Sequence, residues 1–208
     1  MTIVFDTDGV ITDVRPRENG DDFQSAAGPV LPGMPNLHSH AFQRAIVGLT
    51  ERTGPGGDDF WTWRQAVYRF VSQLTPADVE AIAAQLYVDM LKGGYTAVGE
   101  FHYLHHGADG MPYDDPAEMS HRVAAAAEES GIGLTLLPVL YAQGGFGGVP
   151  TEPGQRRYVC DSDQFARIVD GAERASGAGA RYRVGIAPHS LRAVGPEALD
   201  RAIQAIAD

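Results

Sequence analysis

The chain has 208 residues, of which 44% are hydrophobic, and its 16 basic and 27 acidic residues give a formal net charge of -11. This is the composition of one globular domain or slightly more, and the negative charge argues against nucleic acid or an anionic membrane as a partner. No apolar run approaches the roughly 20 residues that cross a bilayer, no secretory signal is evident, and the single cysteine, Cys160, excludes an internal disulfide. We therefore expect a cytoplasmic protein.

Residues 1–28 predict a short β-hairpin followed by a polar loop. IVFD and VITDV are β-rich runs, and Asp8-Gly9 between them is a strong turn signal. The segment is too short to hold a core of its own. We expect either a strand pair that packs on the main domain or the remnant of a small β-domain whose other strands are absent.

Residues 29–208 alternate between strand and helix patterns. The predicted strands are VLPGMPNLHSH, TAVGEFHYL, IGLTLLPVLY and YRVGIAPHS, and the predicted helices cover residues 60–73, 76–94, 115–131, 161–176 and 195–208. Near-continuous apolar strands that alternate with helices indicate a parallel sheet covered on both faces, either open and doubly wound or closed into a (β/α)8 barrel. Polar, reactive residues fall at the strand ends, which favours the barrel. A complete barrel takes about 250 residues, so we expect about the first four βα units.

The motif with the clearest chemistry is His38-Ser39-His40 at the end of the first barrel strand. Residues i and i+2 of a strand point to the same side, so two imidazoles at the mouth of a barrel can bind one metal ion. A bare pair of this spacing is common, but the buried strand and the Pro/Gly entry of LPGMPNLHSHAF favour metal binding.

The strings HSHAFQRA, FWTWRQAVY, VGEFHYLHH and APHSLRAV occur in this order along the chain. Together with the first strand they resemble the amidohydrolase superfamily and, within it, the formimidoylglutamate deiminase family. The resemblance covers residues 29–208. It implies an amidohydrolase-type (β/α)8 barrel, here about its first four βα units, with residues 1–28 as the remnant of the small N-terminal β-domain.

The resemblance also implies a site. One divalent metal ion, expected to be zinc, would be bound by His38 and His40. The residues expected to bind a small anionic substrate are Gln43, Arg64, Tyr103, His189 and Arg192. Guanidinium groups bind carboxylates bidentately, which suits formimino-glutamate with its two carboxylates. His102 is expected to be structural, as are His105 and His106.

The reaction implied by the resemblance is metal-dependent hydrolysis of N-formimino-L-glutamate to N-formyl-L-glutamate and ammonia in histidine degradation. The third histidine ligand, the metal-binding aspartate and the acid/base residues of the family are expected beyond Asp208, so we expect no acid/base catalyst in this chain and an inactive isolated polypeptide. Three alternatives stay open: another deaminase of the superfamily, a non-catalytic binding module, and a fragment with no independent role. The exposed edges of a half barrel would favour homo-oligomers.

Overall fold

The computed structural model describes residues 1–207 except 8, 19, 21, 51–56, 58 and 176–180. It divides into two compact units, Met1–Gly33 and Met34–Asp208. This boundary falls a few residues after the predicted one between residues 28 and 29, and the interpretation of the first unit as the remnant of a small β-domain stays a prediction. In the part of the chain that is described, no helix is both long and apolar enough to span a bilayer.

The first unit contains the predicted hairpin. Strand β1 (Thr2–Phe5) pairs antiparallel with strand β2 (Ile11–Arg15). Asp8 of the predicted turn lies outside the described residues. Its neighbour Gly9 has a φ of 79°, a backbone conformation that glycine adopts without the steric penalty of a side chain.

The second unit is built around a parallel sheet. Its strands are β3 (Met34–Ser39), β4 (Tyr95–His102), β5 (Gly133–Leu140), β6 (Tyr182–Val184) and β7 (Ala187–Pro188). The pairing order is β3-β4-β5-β6, and β7 pairs with the carboxyl end of β5. Its helices are α1 (Phe60–Val71), α2 (Pro76–Lys92), α3 (Glu118–Ser130), α4 (Ser162–Ala175) and α5 (Pro196–Ala207). The predicted alternation of strands and helices is confirmed, with the strands in the sequential order of a β/α barrel.

The fourth predicted strand is divided into β6 and β7. Both pieces pair with β5, and between them the Gly185 N–H donates to the Leu136 carbonyl at 2.9 Å. Among the described strands, only β5 pairs with β6 and β7. Gly185 between these two pieces adds no side chain that could pack and stabilise a continuous strand. The ladder is therefore interrupted where the sequence predicts one continuous strand.

Helix caps fix the start of the two helices that follow β3. The Asp59 carboxylate accepts hydrogen bonds from the Trp61 and Thr62 N–H groups, which anchors the first turn of α1. Arg64 and Tyr68 lie four residues apart on this helix and therefore on one face. The predicted start of α2 is confirmed, because Thr75 caps it and proline follows in its first turn.

The two faces of β4 have different surroundings. Glu100 is fully buried on the face that meets α2, where the Tyr87 hydroxyl donates to its carboxylate at 3.2 Å. The side chains of Phe101 and Tyr103 point to the opposite side of the sheet, where both contact the His40 ring. Helices α2 and α3 thus cover one side of the sheet, and the predicted site residues gather on the other.

Candidate active site

The two histidines of the first barrel strand lie side by side. The ring centroids of His38 and His40 are 4.6 Å apart and the ring planes are nearly perpendicular. His40 Nδ1 lies 3.0 Å from the Phe101 carbonyl oxygen, which can only accept, so Nδ1 carries the proton and Nε2 keeps its lone pair. Burial lowers the His40 pKa, which keeps the imidazole neutral, as metal ligation requires.

An irregularity in β3 separates Asn36 from the two histidines, which lie on the other side of the sheet. The register between β3 and β4 shifts after Asn36, whose amide reaches Met90 Sδ of α2 at 3.6 Å. In a regular strand Asn36, His38 and His40 would share one face. Here Asn36 faces the helices and both histidines contact Phe101, as bulges beside functional sites often achieve.

A buried carboxylate fixes the backbone immediately after this pair. Glu100 Oε1 accepts the Ala41 N–H at 2.6 Å, and Oε2 accepts from the Tyr87 hydroxyl. Burial raises the Glu100 pKa, and the hydrogen bonds from Ala41 and Tyr87 oppose that rise by favouring the charged form. Glu100 was not predicted as a site residue, although a carboxylate inside an apolar strand is a signal that could have found it.

Tyr103 joins the residues that follow β3 to those that follow β7. Its hydroxyl oxygen accepts from Gln43 Nε2 at 2.7 Å. Its ring centroid lies 5.3 Å from that of His40 and 5.5 Å from that of His189. Burial raises the pKa of the Tyr103 phenol, so the hydroxyl stays protonated at neutral pH and can donate to a ligand.

His189 sits at the end of β7 against an aromatic wall. Its ring centroid is 4.5 Å from that of Tyr141, the first residue after β5. Burial, reinforced by the positive charge of Arg192, lowers the His189 pKa to about 4. Phe101 also contacts the His189 ring, and Tyr158 contacts the Tyr141 ring, so aromatic groups surround the imidazole. Because of its lowered pKa, the imidazole is neutral at pH 7.

Arg64 packs on Tyr68, and the charge of Arg192 acts on the same tyrosine. Burial raises the pKa of Tyr68 to about 12, and the nearby cations Arg64 and Arg192 act in the opposite direction. The Arg64 guanidinium lies over the rings of Trp61 and Tyr68, at 4.6 and 5.3 Å from their centroids. Arg64 Nη2 also donates to Glu152 Oε2 at 2.7 Å.

Side-chain contacts therefore link six of the seven predicted residues near the carboxyl ends of the strands. The seventh, Arg192, follows β7 and acts electrostatically on Tyr68 and His189. Three tyrosines and one acid that line this site had no predicted binding role: Tyr68, Tyr141, Tyr158 and Glu152. Of these, Tyr141 was among the reactive residues expected at strand ends, because it follows the third barrel strand. Tyr158 and Glu152 lie in the long connection between β5 and α4, where no periodicity indicates orientation.

The histidines treated as structural are buried behind the site. His102, His105 and His106 are each at most 2% exposed, and the Nε2 atoms of His105 and His106 lie 2.9 and 2.8 Å from the carbonyl oxygens of Val139 and Val159. No group of three or more histidine, cysteine, aspartate or glutamate side chains that could hold a metal ion occurs in the described part of the chain. His38 and His40 can therefore supply two ligands to a metal ion that other residues complete.

A sequential parallel sheet with helices between its strands, and with paired histidines at its carboxyl edge, is the arrangement found in metal-dependent β/α-barrel hydrolases. Residues 30–208 match the model of the amidohydrolase family, and the chain belongs to that family.

Two curated relatives show different specificities. The chain is 54% identical over 190 residues to the formimidoylglutamate deiminase of Pseudomonas aeruginosa, a match that covers 91% of this chain and 42% of the relative. It is 30% identical over 193 residues to a 5-methylthioadenosine/S-adenosylhomocysteine deaminase of Natronomonas pharaonis, covering 91% and 37%. The chain thus spans less than half the length of the curated relatives it matches.

Solved structures agree on the fold. An amidohydrolase from Brucella melitensis superposes with a TM-score of 0.83 at 50% identity, covering 89% of this chain and 43% of that one. An atrazine chlorohydrolase from Arthrobacter aurescens, solved with zinc and atraton, gives a TM-score of 0.62 at 21% identity, covering 86% and 39%. The second likeness concerns the fold alone.

Proposed function

We propose that the protein containing this chain hydrolyses N-formimino-L-glutamate to N-formyl-L-glutamate and ammonia, as a step of histidine degradation. The observation that carries this proposal is the largely buried Arg64 guanidinium, whose Nε has no hydrogen-bond partner among the described residues, in a chain with a net charge of -11. The predicted Arg192 lies near enough to act electrostatically on Tyr68, which Arg64 contacts. Two guanidinium groups in an otherwise acidic protein favour a ligand with two carboxylates. The 54% identity to a formimidoylglutamate deiminase supports the same substrate.

The remaining polar groups suit the other end of this substrate. In our proposal the Gln43 amide and the Tyr103 hydroxyl, already hydrogen-bonded to each other at 2.7 Å, bind the glutamate backbone of the ligand. His189 is neutral at pH 7 because its pKa is about 4, so it donates one hydrogen bond without adding charge beside a metal ion. The surrounding aromatic rings exclude water and strengthen these polar contacts.

We further propose one divalent metal ion, zinc, bound by His38 and His40 together with ligands from outside the described residues. The donor set fits, because His40 Nδ1 is held by the Phe101 carbonyl and Nε2 is left as the ligating atom, the usual arrangement for a metal-binding histidine. When bound, the ion would supply Lewis-acid activation of water at neutral pH. His40 holds its neutral form and Glu100 fixes the adjacent backbone.

The test is release of ammonia from formimino-L-glutamate by the full-length gene product, with and without added zinc. Arg192→Met should raise the KM for this substrate at least tenfold, equivalent to about 1.4 kcal/mol of lost binding. Arg122→Met is the matched control, because Arg122 lies on α3 and pairs with Glu80 and Glu118. Turnover that is independent of metal, or that is unaffected by Arg192→Met, would contradict the proposal.

The 30% identity to a deaminase named for methylthioadenosine and adenosylhomocysteine makes a second substrate class worth assaying. Arginines that bind carboxylates gain nothing from a neutral purine, so we expect no turnover of 5'-methylthioadenosine. Deamination of that nucleoside without hydrolysis of formimino-glutamate would replace our proposal with the nucleoside activity.

Two further expectations accompany this proposal. The one cysteine, Cys160, is buried as a free thiol, which supports a reducing, cytoplasmic location. In the described sheet, strands β3 and β6 are the edges, and pairing of two copies through them stays a prediction.

A further inference from the structure

A short turn in the connection between β5 and α4 holds the predicted substrate-binding Arg64. The turn is the 3-10 helix Pro153–Gln155, and Glu152 is its N-terminal cap residue. We propose that Glu152 is a positioning residue, which orients the Arg64 guanidinium toward a carboxylate of the substrate and determines how tightly that carboxylate binds. This inference rests on the proposed function, since it assigns Arg64 to substrate binding.

Glu152 is itself fixed by its own turn. Its N–H donates to Gln155 Oε1 at 2.6 Å, and Gln155 Nε2 donates to the Tyr141 hydroxyl at 2.5 Å. Gln155 is 1% exposed, so both hydrogen bonds are shielded from water. A Cβ at Gly154 would lie 2.2 Å from Tyr68 Cδ2, which shows how closely the turn packs on that ring. The Glu152 side chain is therefore attached to a backbone that its turn holds in place, unlike that of a typical surface carboxylate.

The turn and helix α1 together enclose the Arg64 side chain. Its side chain is 11% exposed, and its guanidinium lies between Trp61, Tyr68 and the Glu152 carboxylate. Only Nη2 donates to Glu152, and Nε is buried without a hydrogen-bond partner among the described residues. An unpaired buried donor is unfavourable, so an acceptor atom of a ligand is the natural partner for it.

In this arrangement Arg64 would bind and orient the substrate without taking part in the hydrolysis. Arg64 would contact a carboxylate of the substrate and not the formimino carbon, so its contribution is the same in the ground state and the transition state. Loss of such uniform binding raises KM and leaves kcat nearly unchanged. Because Glu152 would act only through Arg64, removing Glu152 should have no effect once the guanidinium is gone.

The experiment is a double-mutant cycle in the full-length gene product, assayed for ammonia release from formimino-L-glutamate. Glu152→Ala should raise KM about tenfold with kcat within about twofold. Glu152→Gln keeps a side-chain acceptor for Arg64 and should restore KM to within about threefold of the unsubstituted protein. Arg64→Met and the double variant Arg64→Met with Glu152→Ala should have the same KM. Glu118→Ala is the matched control, because Glu118 pairs with Arg122 on α3 at the same 2.7 Å.

An unchanged or lower KM in Glu152→Ala, additive effects in the cycle, or failure of Glu152→Gln to rescue would each overturn the proposal. A readout without substrate separates this inference from the function itself. With Trp63 and any tryptophan outside this chain replaced by phenylalanine, Glu152→Ala should increase acrylamide quenching of Trp61, because a released Arg64 no longer covers the indole, and Glu152→Gln should not. If the protein fails to hydrolyse formimino-glutamate, the proposed function fails, and the quenching result still decides whether Glu152 positions Arg64; unchanged quenching overturns that role.

Discussion

Replacing His105 with glutamine is expected to reduce the loss of stability that acid causes. His105 is 1% exposed, and its Nε2 lies 2.9 Å from the Val139 carbonyl oxygen. Burial, followed by the proximity of His102, lowers its pKa from 6.5 to about 3. The imidazole is therefore neutral in the folded protein across the whole range in which an unfolded histidine titrates.

The sign and size follow from proton linkage. The folded-state pKa is below the unfolded value, so the contribution of His105 is fully present above about pH 6.5 and is lost as the pH falls toward about 3. At pH 5 the unfolded histidine is almost fully protonated and the folded one is not. At 1.36 kcal/mol for each pH unit, the free energy of unfolding should fall by about 2 kcal/mol between pH 7 and pH 5 on account of this residue.

The assay is urea unfolding followed by tryptophan fluorescence at pH 7, 6 and 5. Glutamine can still donate to the Val139 carbonyl but does not titrate, so the His105→Gln variant should lose about 2 kcal/mol less than the unsubstituted protein over this range. His121→Gln, a change at a partly exposed histidine of α3, serves as the control. Equal losses in the unsubstituted protein and His105→Gln would refute the reasoning.

Three further predictions concern the connection between β5 and α4. Arg157 is 2% exposed; its Nε donates to the His106 carbonyl at 2.8 Å, and its Nη1 donates to the last carbonyl of α1. Arg157→Met removes both hydrogen bonds and should therefore lower the free energy of unfolding, measured by urea titration, by about 3 kcal/mol. An unchanged unfolding midpoint would contradict this. Gly154→Ala should destabilise the protein by about 1–3 kcal/mol, because its Cβ would overlap the Tyr68 ring, and a neutral result in thermal unfolding would show that the turn can shift. Burial raises the pKa of the Cys160 thiol to about 12, so iodoacetamide should label it at pH 8 only after unfolding; rapid labelling of the native protein would disprove this burial.

Local sequence patterns were sufficient for the elements that carry the site. Thr75-Pro76 predicted the start of α2, and the alternation of apolar runs with amphipathic segments predicted the parallel sheet. The spacing of His38 and His40 predicted that both rings lie on one side of a strand. These inferences succeed because caps, strand periodicity and strand-end chemistry depend on residues a few positions apart.

Contacts between distant residues could not be obtained in that way. Arg64 meets Glu152 across 88 positions, and Gln43 meets Tyr103 across 60. The irregularity that turns Asn36 away from His38 depends on how β3 pairs with β4 and packs on α2. None of these partners is marked by a local pattern.

The sequence by itself predicted a parallel α/β sheet, the order of its elements and the pairing of His38 with His40 on one side of a strand, because these follow from periodicity and from neighbouring residues. Only the tertiary structure decided which surfaces face each other, and therefore that Glu100 holds the backbone after His40 and that Glu152 holds Arg64. The physical reason is that burial and charge act through space. The environment of a carboxylate, and hence its partner and its pKa, is set by elements that the chain brings together only when it folds.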